Sequence, residues 1–228
     1  GTNVLCEKPM CATVQEARKM MDARDRSGKF LAIGYQWSFS DAIQSLKKDI
    51  LSGRFGKPKR FKTIVLWPRS DKYYGRSSWA GRMRDNSGNW VLDSVANNAT
   101  AHYLHNMFFV LGKTQTGSAR PLKVKAELYR ANSIENFDTG VMHAVVEGGT
   151  ELLYIASHAV NKTLGPVISY EFEKAEIRYG SMNGKSPKGE ITAVFHDGSS
   201  VSYGDPLKDV QRKTFMSIKA VRGDSGVL

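Results

Sequence analysis

From Pro121 onward the apolar residues of this chain recur at every second position in short segments. That change of period constrains the fold more than any other feature. Segments 122–129, 141–147, 150–157, 175–179, 190–195 and 200–203 all alternate in this way. Gly148-Gly149 and Asp197-Gly198 supply hairpin turns between neighbours. Short strands joined by such turns predict a mostly antiparallel sheet, because parallel neighbours need a crossover of a dozen residues or more.

The first 35 residues have a different rhythm. Val4-Leu5-Cys6 reads as a strand, 12–27 as a helix opened by a Thr13/Glu16 capping box, and Phe30–Ile33 as a second strand. Val14, Ala17 and Met21 form the apolar face of that helix. Strand–helix–strand is the unit of a parallel α/β sheet. A helix over 41–52 follows, N-capped by Ser40, with Ile43, Leu46 and Ile50 as its stripe. Residues 57–67 alternate as a strand. Residues 68–92 lack a period and read as a long functional loop. Residues 97–111 predict a helix burying Leu104, Met107, Phe108 and Leu111, and 208–221 a last, less regular one carrying Val210, Phe215, Ile218 and Val221. Because the first strand begins only three residues in, the chain reads as a fragment.

Composition is that of a globular protein: 41 % apolar and 24 % charged residues. No apolar run is longer than five residues, as in Met107–Leu111, so no membrane helix is expected. Cys6 and Cys11 are too few for a disulfide framework and read as reduced thiols of a cytoplasmic protein. Residues 54–84 hold ten basic side chains and one acid, Asp71, which is +9 of the net +11. Aromatics interleave them. Such a stretch suits a cleft for an anionic or polyhydroxylated ligand, a nucleic-acid surface, or a solvated face. No recognition-helix or RNP-like motif favours nucleic acid, and neither nucleic acid nor membrane is expected as a partner.

Several nucleotide and metal motifs are absent. No two glycines stand two apart, which excludes a Gly-x-Gly-x-x-Gly fingerprint within the chain. Gly184-Lys185-Ser186, in the loop 181–189, imitates the end of a phosphate-binding loop, but Tyr179 stands where the first glycine is required. Two elements remain. In Glu7-Lys8-Pro9, Lys8 follows a strand directly, at the end where ligands bind parallel sheets, and Pro9 restricts its backbone. It is either a substrate-holding ammonium or a solvated strand-end lysine. On the helix 97–111, Asn98, His102 and His105 share one face by spacing. His102 is a general-base candidate with a near-neutral intrinsic pKa. A metal on the two histidines is not expected, since no carboxylate joins them on that face; the plain alternative is structural histidines.

The run Gly1–Met10, with its Glu7-Lys8-Pro9, resembles the glucose–fructose oxidoreductase / inositol dehydrogenase / rhizopine-catabolism (Gfo/Idh/MocA) family. Gly34–Phe39 resembles the strand leading into the second domain there. Ser52–Lys57 resembles the turn before the first sheet strand, and Gly88–Asp93 the Gly-rich approach to the catalytic helix. The resemblance implies an α+β fold: a large, mostly antiparallel open sheet with helices on one face, like the C-terminal domain of glyceraldehyde-3-phosphate dehydrogenase. A remnant of a Rossmann unit would precede it. Residues 1–36 would end the dinucleotide-binding domain, and 37–228 would be the substrate and oligomerisation domain. The implied activity is hydride transfer between NAD or NADP and a hydroxyl-bearing carbon of a sugar or polyol, with the main cofactor loop outside this chain. A homo-oligomer through the sheet is also implied. The family further points to NAD-dependent glycoside cleavage, and to a non-catalytic assembly module, as alternatives. By motif position, Lys8 and His102 become catalytic, and Glu7, Lys8 and Pro9 contact the cofactor, with Lys8–Pro9 cis. Asn98, Asp93 and His105 are expected near the substrate, with Tyr35, Trp79, Arg82 and Arg84 as further candidates for its wall. The family's usual pattern is Asp-x-x-x-His; here Asn98 stands four residues before His102 and Asp93 nine before, so either five residues are inserted or Asn98 replaces the acid.

Overall fold

The computed structural model describes residues 1–183 and 189–224. The phosphate-loop imitation at 184–186 lies outside them. β1 (Val4–Cys6), α1 (Val14–Ser27) and β2 (Leu31–Ile33) form a parallel two-stranded sheet with its crossover helix. Thr13 and Glu16 make the expected reciprocal cap, and Gly28 closes α1 in the left-handed conformation that suits glycine. No residue of α1 is buried; Val14 is 67 % and Met21 46 % exposed, because only two strands stand behind the helix among the described residues.

Gly34–Phe39 is not a strand. Gln36–Phe39 makes a helical turn, α2, that buries Trp37 and Phe39. α3 (Asp41–Leu51) starts at Ser40, whose hydroxyl accepts from Ile43 N as expected. β3 (Pro58–Leu66) follows, then a short α4 (Asp71–Tyr74) inside the segment expected to be loop. The helix expected at 97–111 is broken in two. Val95–Ala99 is a π-helical turn, and α5 runs Ala101–Val110.

β4 (Pro121–Tyr129), β5 (Thr139–Val146), β6 (Glu151–Ser157), β7 (Leu164–Phe172), β8 (Ala175–Tyr179), β9 (Ile191–Phe195) and β10 (Ser200–Gly204) join β3 in one eight-stranded sheet. Its order is β10-β9-β8-β7-β3-β6-β5-β4, and only β3 and β6 are parallel neighbours. β7 was not expected from the sequence, although it sits beside β3 in the middle of the sheet. α6 (Arg212–Arg222) closes the described chain. Its Phe215, Ile218 and Val221 are exposed rather than buried.

Alternation along the strands puts Phe61, Val65, Leu152, Tyr154, Ile168, Tyr170 and Ile177 on one face. There they meet Ile43 and Leu46 of α3 and Tyr103, Met107 and Val110 of α5 in a single core. The opposite face carries no helix among the described residues. Arg60, Lys62, Glu171, Glu176 and Arg178 project from it. The fold is therefore an open, mostly antiparallel sheet with helices on one face, and α5 packs on that face with β2 across a cavity from it.

Candidate functional site

Lys8 leaves the carboxyl end of β1 through a cis Lys8–Pro9 bond, and its half-buried side chain runs to the π-helical turn. Nζ donates to the main-chain oxygen of Asn98 at 2.6 Å and to its Oδ1 at 3.0 Å. The Asn98 amide donates in turn to Asp93 Oδ1 at 2.7 Å. Asp93 is buried, and its Oδ2 accepts from Gly81 N at 2.7 Å.

The turn itself has a local cause. Ser94 and Asn97 cap it reciprocally, side chain to backbone. Thr100 N reaches back five residues to Val95 O at 3.2 Å. Tyr154, buried on β6, donates to Thr100 O at 3.1 Å and also bonds the Thr100 hydroxyl. The extra residue in the turn lets both oxygens of Asn98 face Lys8. Such one-turn π insertions are frequent at functional sites. Asn98 and His102 are thus not in α-helical register, contrary to the spacing argument, though Asn98 binds Lys8 and the Lys8 charge also reaches His102.

His102 opens α5. Its Nδ1 is buried without a hydrogen-bond partner. Burial, then the positive charges of Lys8 and Lys213, depress its pKa to about 4. His102 is therefore a neutral imidazole at pH 7. Tyr35 meets it edge-on at 5.9 Å between ring centroids and stacks parallel on His105 at 3.9 Å. His105 Nδ1 lies 3.2 Å from Ser38 Oγ, and burial lowers its pKa to about 4 as well. Cavities of about 650 and 580 Å³ both border this stack, and Lys8 and His102 line neither.

Burial also lowers the Lys8 pKa. Glu7 and Asp93 pull it back up, and the like charges of Lys213 and Arg76 push it further down. Glu7 is mostly exposed and pairs with Lys213 of α6, whose hydrogen bond holds the carboxyl below the usual range. Arg76 belongs to the basic stretch 54–84 but nothing singled it out there, and Lys213 had no signal in the sequence. Lys213 sits about 200 residues from Glu7 and reads as an ordinary helix lysine. Lys8, Asn98, Asp93, His102, Tyr35 and His105 come together as one cluster. Trp79, Arg82 and Arg84 make their contacts elsewhere. Arg82 Nη1 lies 3.5 Å from Glu135, Arg84 stacks 3.4 Å over Trp90, and Trp79 faces Arg76. Only the main chain of Arg82 touches the cluster, accepting from Asp93 N at 3.0 Å.

An ammonium has three donors. Asn98 takes two, and a neutral, partnerless imidazole stands within the field of the third. The arrangement suits a substrate with a hydroxyl or carbonyl oxygen to hold and a proton to exchange. The residues present also fit the reactive end of a dinucleotide. Two parallel strands end side by side at Glu7–Pro9 and Gly34-Tyr35, and the Tyr35 ring meets that of His102, whose Nδ1 is unpartnered.

Residues 1–35 match the GFO_IDH_MocA family, described as an oxidoreductase family with an NAD-binding Rossmann fold. The rhizopine catabolism protein MocA of Rhizobium meliloti is 41 % identical over 56 residues, 25 % of this chain and 18 % of that protein. The 1,5-anhydro-D-fructose reductase of Ensifer adhaerens is 28 % identical over 114 residues, 49 % of this chain and 31 % of the reductase. Among solved structures, the WlbA dehydrogenase from Bordetella pertussis, in complex with NADH and UDP-GlcNAcA, shares the fold with a TM-score of 0.74 at 24 % identity. That match covers 99 % of this chain and 63 % of WlbA. The chain thus spans less than two thirds of the proteins it matches.

Proposed function

We propose that this chain, a member of the Gfo/Idh/MocA oxidoreductase family, is the substrate-side part of an NAD(P)-dependent enzyme acting on a sugar or polyol. Residues 1–36 end its dinucleotide-binding domain, and 37–228 form its substrate and oligomerisation domain. The observation that carries the reading is Lys8, held by Asn98 at the carboxyl end of a parallel strand, with the unpartnered imidazole of His102 beside it. Glu7, Lys8 and Pro9 would border the nicotinamide end of the cofactor, which accepts or supplies the hydride when bound. The free Lys8 N–H donates to the substrate oxygen and stabilises charge that builds on it. Neutral His102 takes the hydroxyl proton, or returns it in the reverse direction. Tyr35 and His105 form a rigid wall beside it. The free cysteines, Cys6 and Cys11, fit a cytoplasmic enzyme. No described helix is long and apolar enough to cross a membrane.

The test is His102→Ala in the complete gene product, assayed for nicotinamide reduction across a panel of sugars and polyols. Turnover should fall about 10²–10⁴-fold with cofactor affinity unchanged. Unchanged turnover would remove His102 from the reaction. The open face of the sheet carries half-buried Ile64, Val141, Val145 and Ile155 between its charges, which supports a homo-oligomer through that face. Sedimentation should give a mass above one protomer, and Ile155→Glu should lower it.

A further inference from the structure

The Lys8 contacts pose a question of orientation. An asparagine side chain offers an acceptor on one end and donors on the other, and the neighbours decide which end points where. Here the choice is forced. Lys8 can only donate, so Asn98 Oδ1 must face it; the Asp93 carboxylate accepts, so the Asn98 amide nitrogen must face Asp93. Asp93 is in turn fixed from the other side by Gly81 N. A carboxylate can accept from both sides at once. An amide at position 93 could accept on one side only and would leave a donor facing a donor.

We infer that Asp93 is a positioning residue for Lys8, fixing the Asn98 amide so that its oxygen and the Asn98 carbonyl together hold the ammonium with one N–H left free. The inference rests on the proposed role of Lys8 and adds a device to it. In this chain the acid stands one residue back from the lysine, and a neutral amide makes the direct contact. The two positions specify each other. A carboxylate at position 98 would lie against Asp93, and two carboxylates at hydrogen-bond distance cannot both stay ionised. The charged groups around Lys8 are Glu7, Asp93, Lys213 and Arg76, with His102 neutral, so exchanging the groups at 93 and 98 changes the negative field at its ammonium directly.

The experiment uses the 228-residue chain with ¹³Cε-labelled lysine and no cofactor or substrate. The Lys8 resonance is assigned by its loss in Lys8→Arg and titrated in the parent, in D93N, and in the double variant D93N/N98D. In D93N the Lys8 resonance should broaden and its pKa fall. The double variant can satisfy every group again: the new amide at 93 accepts from Gly81 N and donates to the new carboxylate at 98, which accepts from Lys8. It should therefore recover a sharp resonance, with the Lys8 pKa raised by about one unit or more over the parent. If Asp93 acts on Lys8 through its charge alone, D93N will lower the Lys8 pKa but leave the resonance sharp, because the Asn98 oxygens would hold the ammonium without it; that result overturns the inference, as does a double variant whose resonance stays broad. Failure of hydride transfer in the complete enzyme, with the titrations behaving as stated, would remove the oxidoreductase reading and leave the positioning role standing.

Discussion

Lys47 exposes none of its surface and pairs with no carboxylate among the described residues. Its ammonium donates to Gly117 O at 2.5 Å and faces the Phe109 ring at 3.8 Å. Burial lowers its pKa to about 8. The folded pKa thus lies below the unfolded value, so between about pH 8 and 10.5 only the unfolded chain keeps the proton, and stability rises with pH there. Below that window both states are charged and the penalty is constant. Lys47→Met should therefore stabilise the chain at pH 7 by about 1–2 kcal/mol, after subtracting the lost Gly117 bond, and should lose the alkaline rise. Urea melts at pH 7 and 9.5 check both. The sequence hid this residue. Ile43, Leu46 and Ile50 mark the buried stripe of α3, and a lysine between them reads as the edge of the polar face. Lys8 was legible because Glu-Lys-Pro at a strand end is a short, specific pattern. Trp79, Arg82 and Arg84 misled because a basic, aromatic composition says nothing about where each side chain is directed.

At the scale of elements, strands with plain alternation and helices with caps were readable: Thr13, Ser40 and the Gly148-Gly149 turn all act as the sequence suggests. β7 was missed despite the alternation of Ile168, Tyr170 and Phe172, because Gly165-Pro166 at its start reads as a turn. The break between the π turn and α5 was invisible for a different reason. No local residue demands it; its anchor, Tyr154, comes from a strand more than fifty residues on. Tyr154→Phe removes the hydroxyl's bonds to Thr100 and leaves Thr100 O with Tyr103 N as its donor, and should cost about 0.5–1.5 kcal/mol. Amide exchange should then accelerate at Thr100 and its neighbours while the β7–β8 pairing stays protected. Equal acceleration throughout would mean that the hydroxyl serves the whole core rather than the turn.

For the whole molecule, the +9 stretch does not make one continuous basic field. Arg54 pairs with Asp49, Arg60 with Glu171 across the open face, and Arg82 with Glu135, while Arg84 lies on Trp90. Of the stretch, Arg76 is the one whose charge reaches Lys8. The global pH response should instead come from buried histidines. His102 and His105 have folded pKa values near 4 against an ordinary 6.5. Between those values the unfolded chain binds protons that the folded chain refuses, so stability falls as pH drops through this window. The slope is at most about 1.4 kcal/mol per pH unit for each histidine. Urea midpoints from pH 7 to 4.5 should fall accordingly, and less steeply in His105→Phe. The inserted residue in the turn at 95–99 bears on how kindred chains are found. A motif ruled off in fixed intervals along the sequence passes over a molecule whose helix has taken up a residue of slack. The invariant to look for is the atom that the lysine grips, however many residues the chain spends in bringing it there.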